Sequence, residues 1–144
     1  MAPTLERIGS LLAPDPERKL AIEALQVAAR DYKAGVDGAL AKVVELSDDP
    51  DRAVRHAALT LMSQIAPKGD AFCVQASLAR VRDRDSRVRT MALTVLGQVA
   101  LHGDPAVITA TSVALQDWNR PARSAALKAL RCVAKGGSAE ATAV

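Results

Sequence analysis

Three stretches of this chain align without a gap: DDPDRAVRHAALTLMSQIA, RDRDSRVRTMALTVLGQVA and QDWNRPARSAALKALRCVA. Val54 to Val88 is a step of 34 residues, and Val88 to Ala122 is the same step again. One step back from Val54 lands on Leu20, inside APDPERKLAIEALQVAARD. Asp recurs at 15, 49, 83 and 117, Ala at 24, 58, 92 and 126, and Leu at 25, 59, 93 and 127. Arg55, Arg89 and Arg123 share another phase, as do Gly35, Gly69, Gly103 and Gly137. A repeat of this length means that each unit is one supersecondary element that buries its apolar face against its neighbours.

Within each unit the periodicity is helical. Val54, Ala58, Leu61 and Ile65 fall on one face, and Leu59 and Met62 widen it to leave His56, Thr60 and Ser63 as a narrow polar stripe. A helix apolar over most of its circumference is covered on two or three sides. Asp ahead of the long helix is expected to cap it, and the recurring Gly to stop it. Shorter amphipathic helices are expected between the long ones, over 38–46, 71–81 and 105–115, with Leu5, Ile8, Leu11 and Leu12 making the first. The apolar residues are mostly Ala, Val and Leu, and Tyr32, Phe72 and Trp118 are the only aromatics, a composition that favours close-packed helices over sheets. The expected fold is all-α: a solenoid of about four antiparallel helical hairpins, residues 1–135, with units near 1–34, 35–68, 69–102 and 103–135. The small, polar tail 136–144 is expected to be disordered.

Asp83-Arg84-Asp85-Ser86-Arg87-Val88-Arg89 with Ala92, Leu93 and Leu96 resembles the HEAT repeat, in particular the HEAT-like variety related to phycobilisome lyases. Asp49, Val54, Arg55, Ala58 and Leu59 fit the same pattern, and so do Asp117, Arg123, Ala126 and Leu127. The resemblance covers roughly residues 14–135 and implies a fold far more than a function. It implies that Asp49, Arg55, Asp83, Arg89, Asp117 and Arg123 form a structural ladder joining adjacent units. A tetratricopeptide array shares the period, but its Trp/Gly/Tyr/Pro signature is missing. In the first unit Ala21 replaces the ladder Arg and Asp31 an apolar residue, as terminal repeats often do.

Chemistry-bearing residues are sparse. HEAT-like deoxyhypusine hydroxylases bind iron through His-Glu pairs, but Ala57 follows His56 and Gly103 follows His102, so that site is not built here. Neither catalysis nor a cofactor or metal is expected. Cys73 and Cys132 read as buried thiols of a reducing compartment, which makes an intracellular location the default. No apolar run is long enough to span a membrane.

A partner protein is the expected ligand. Two surfaces compete for it. One is the long-helix stripe, with His56, Thr60, Thr90, Thr94 and Lys128, suited to an extended segment or a partner helix. The other is the arginine-rich turn holding Arg80, Arg82, Arg84 and Arg87, suited to an acidic partner. Residues 1–51 carry 6 basic and 10 acidic side chains, and residues 52–144 carry 13 and 6, so one end is acidic and the other basic. Self-association through the C-terminal repeat is a further expectation. Two alternative functions stand beside the interaction module: a bilin lyase-like chaperone, as the resemblance implies, and nucleic-acid binding. The scarcity of stacking aromatics weighs against the second.

Overall fold

Seven α-helices and no strand make up the described part of the chain, residues 15–142 of a computed structural model, with side chains described as far as Ala134. In chain order they are α1 (Pro16–Lys33), α2 (Ala39–Leu46), α3 (Arg52–Ile65), α4 (Ala71–Arg80), α5 (Ser86–Val99), α6 (Pro105–Ala114) and α7 (Arg120–Thr142). The expected short helix carrying Leu5, Ile8, Leu11 and Leu12 lies outside the described residues. Long and short helices alternate. The long ones pack in sequence, α1 on α3, α3 on α5 and α5 on α7, while α2, α4 and α6 each pack against the long helix that follows. None of the helices is long and apolar enough to cross a membrane.

The recurring Asp does not do what the sequence leads one to expect. The caps of α3 and α5 are Asp51 and Asp85, whose carboxylates accept from the amides of Ala53, and of Arg87 and Val88. Asp49 and Asp83 stand two residues earlier and accept from the Asp51 and Asp85 amides, both at 2.9 Å. Asp117 does the same for Asn119 at 2.8 Å, and Asn119 accepts from Ala122. These residues therefore shape the turn and leave capping to the residue two places on. Asp15 is the exception and caps α1 directly, with Pro16 at the first helical position. As a result α1 starts two residues early in the repeat, and since it also ends two residues late it is 18 residues long, against 14 for α3 and α5.

The core follows the expected phase. Val54, Val88 and Ala122 are fully buried, and so are Ala58, Ala92 and Ala126. Leu59, Met62, Leu93 and Leu96 supply the bulk, each contributing about 1.5–3 kcal/mol by burial. Small residues set how near the helices come: a Cβ on Gly97 of α5 would lie 3.0 Å from Ala129 Cα of α7.

Gly35 stops α1 as expected, but α3 and α5 have already ended at the extended residues Ala66 and Ala100, and Gly69 and Gly103 turn the chain three residues further on. Gly35, Gly69 and Gly103 all have φ near +80°, the left-handed region that an L side chain avoids. Gly69 and Gly103 also donate their amides to Val99 and Val133, at 2.6 and 2.9 Å, at the end of the next long helix. Lys68 reaches Gln98 O and His102 reaches Cys132 O in the same register. Gly137 departs from this pattern, because α7 runs through it to Thr142 rather than giving way to the expected disordered tail at 136.

Candidate interaction surfaces

Arg55 lies buried between two turns. Its Nε and Nη2 donate to both carboxylate oxygens of Asp83, at 2.9 and 3.1 Å, and its Nη1 donates to the carbonyls of Asp49 and Pro50. Arg89 repeats the arrangement with Asp117, at 2.8 and 3.2 Å, and with the carbonyls of Asp83 and Arg84. Each guanidinium thus ties its own turn to the next one by bidentate charge-assisted bonds. Burial pushes the carboxyl pKa of Asp83 upward, but the Arg55 hydrogen bonds, the Asp85 amide and the charges of Arg55 and Arg80 outweigh it and hold the pKa below the usual value. Asp117 is held low by the same balance, with Arg89, the Asn119 amide and Arg123 opposing its burial. Of the remaining ladder residues, Asp49 serves its turn and Arg123 donates to the Asp117 carbonyl at 2.7 Å.

A second set of ion pairs runs parallel to the first and was not read from the sequence. Arg18 donates to Asp51 at 2.8 Å, and Arg52 lies 3.5 Å from Asp85. Arg18 and Arg52 are one 34-residue step apart, as are Asp51 and Asp85, so the signal was present in the repeat.

On the long-helix face, His56 is the meeting point of three adjoining depressions. One holds Arg52, Asp85 and Arg87, the second Arg87, Thr90, Met91 and Pro121, and the third Ile22, Gln26, Ala29, Thr60, Leu61 and Gln64. The groove therefore crosses α1, α3, α5 and the start of α7. Thr94 and Lys128 sit beyond these depressions, Thr94 half-buried and Lys128 exposed. The threonine stripe is less polar than it reads. Thr60, Thr90 and Thr94 each donate their hydroxyl to the carbonyl four residues back, at 2.9, 2.8 and 3.0 Å.

The arginine-rich turn does not form one patch. Arg80 pairs with Asp48 at 3.2 Å and Asp83 at 3.4 Å, so it is engaged within the chain. Arg82 and Arg84 are exposed beside Asp48 and Asp49, while Arg87 faces the groove with His56. Trp118 is an overlooked surface feature: it is 78% exposed, and the Arg89 guanidinium lies 5.4 Å from its ring centroid.

The two cysteines differ. Cys73 is buried, and burial together with Asp70 pushes its thiol up to about 12, which makes it unreactive. Cys132 is exposed on α7, which corrects the expectation of two buried thiols. Among the described residues no group of three His, Cys, Asp or Glu side chains is placed to hold a metal ion. No protein-family model and no curated protein matches this chain.

Proposed function

We propose that the chain is a HEAT-like α-solenoid of about four helical hairpins with a 34-residue period. On this reading it acts without catalysis as a protein–protein interaction module or assembly subunit. The observation that carries this reading is the groove centred on His56. Its floor near α1 and α3 is apolar, from Ile22, Leu25, Ala29, Ala57 and Leu61, and its rim is Gln26, Thr60 and Gln64. An apolar floor with amide groups at the edge suits one face of a partner helix or an extended segment, the amides pairing with its backbone. Towards α5, Arg52 and Arg87 add positive charge beside Asp85, which favours an acidic residue on that segment.

The test is a photo-crosslinking amino acid placed in the intact chain at Thr60 or Thr90, with exposed Lys42 as the control position. Thr60 and Thr90 should yield one shared partner that Lys42 does not, and Thr60→Arg and Thr90→Arg should remove it from pull-downs. Capture that survives both changes but is lost on changing Arg82 and Arg84 to Gln would overturn the groove in favour of the arginine turn.

A further inference from the structure

The two ends of the helix row complement each other, and we propose that copies of this chain stack head to tail, the α7 face of one copy receiving the α1 face of the next. Inside the chain each long helix hands its successor a Leu and at least one arginine: Arg18 from α1, Arg52 and Arg55 from α3, and Arg89 from α5. Leu93 is fully buried in a cluster with Ala122 and Ala126 of α7. Arg55 and Arg89 reach Asp83 and Asp117, and Arg18 and Arg52 reach Asp51 and Asp85. The residues of α7 in the same phases are Leu127, Arg123 and Arg120. Leu127 is 41% exposed where Leu59 and Leu93 are wholly buried. Both arginines are exposed, and among the described residues neither has an ion-pair partner.

The α1 end shows the opposite half of the same contact. Leu20 stands where α3, α5 and α7 carry the fully buried Val54, Val88 and Ala122, yet it is 66% exposed. Val27, in the phase of buried Val95 and Ala129, is 49% exposed. Asp15 and Glu17 are exposed and occupy the phases of Asp83 and Asp85. Extending the internal register by one unit therefore sets Asp15 opposite Arg123 and Glu17 opposite Arg120. Leu127 then rests on Leu20 and Ala24, as Leu93 rests on Ala122 and Ala126. The acidic first third and basic remainder of the chain reinforce this polarity at longer range. Because the contact joins two different faces, it does not close on itself as a twofold dimer, and each added copy exposes a fresh α7 face. The contact is separate from the groove around His56 and does not depend on it.

Sedimentation velocity of the intact chain over a concentration series, at low and high salt, tests the proposal. The average mass should climb past two copies with concentration and fall as salt rises. Arg120→Glu and Glu17→Arg, both at exposed positions, should each weaken association by at least about tenfold through like-charge contact, with melting checked to show that both variants fold. Mixing the two variants should restore assembly, because the exchanged charges then face each other. Leu127→Glu should also dissociate the copies. A wild-type mass that stays monomeric, growth that stops at two copies, or a mixture that fails to reassemble would each overturn head-to-tail stacking.

Discussion

Arg55 and Arg89 each hold two turns at once, so each is constrained by a carboxylate on one side and backbone carbonyls on the other. Replacing Arg55 by Met leaves the buried Asp83 carboxylate with only the longer Arg80 contact and the Asp85 amide, and should cost up to about 3–5 kcal/mol, measured by denaturant unfolding. Adding Asp83→Asn to that variant should recover part of the loss. The depressed carboxyl pKa values of Asp83 and Asp117 also fix the direction of the pH dependence. Both groups hold a proton less firmly when folded than when unfolded. The stability they confer is thus complete above about pH 5 and drains away as the pH falls below the unfolded Asp value of about 3.9. Melting curves between neutral and acid pH should show Asp83→Asn with a shallower acid decline than the wild type. Ser77 is the converse case, a fully buried hydroxyl on α4 with no hydrogen-bond partner. Ser77→Ala removes an unsatisfied group whose burial costs about 1–3 kcal/mol, so it should raise the melting temperature. A lower one would show that the hydroxyl is satisfied in solution.

At the scale of helices, the spacing between successive long helices rests on residues without bulk. Ala92 is fully buried, and Gly97 sits so close to Ala129 that a Cβ there would meet backbone at 3.0 Å. Ala92→Leu and Gly97→Leu should each cost about 1–3 kcal/mol by overpacking. The same change at Lys128, exposed on α7, should be nearly neutral. Urea midpoints of the three variants check this, and an unchanged midpoint for Ala92→Leu would contradict the packing. Helix boundaries obey local chemistry more than the repeat. Asp15 followed by Pro16 starts α1 at once, whereas Asp49-Pro50-Asp51 and Asp83-Arg84-Asp85 each insert an Asx turn before the helix begins.

Across the whole molecule the burial is uneven. Eight residues of α5 are buried, Val88, Arg89, Ala92, Leu93, Val95, Leu96, Gly97 and Val99, while α1 buries Leu25 and Ala28 alone. Helices with few buried contacts open at lower free energy than those enclosed by neighbours. Hydrogen exchange should therefore protect the amides of α5 most and those of α1 least, with the ordering visible under native conditions. Uniform protection along the chain would mean that the helices open together. If copies stack as proposed, α1 protection should rise with protein concentration, since the next copy's α7 covers Leu20 and Val27.

The alternation of short and long helices, the buried phase of Val54, Ala58 and Leu59, and the glycine turns at 35, 69 and 103 were all legible in the residues. Each is a local or periodic property that a repeat states several times over. The ladder was legible as a recurrence, but its partners were not. Arg55 takes Asp83 rather than the nearer Asp49, because the guanidinium spans adjacent turns that only packing brings together. The same reason kept the Arg18–Asp51 and Arg52–Asp85 pairs out of view. Tertiary structure likewise divided the arginine-rich turn, engaging Arg80 with two carboxylates and directing Arg87 to the groove. It also separated two leucines that share one phase of the repeat, burying Leu93 and exposing Leu127. Their sequence contexts are alike, and what distinguishes them is that Leu93 has a following helix to cover it and Leu127, among the described residues, does not.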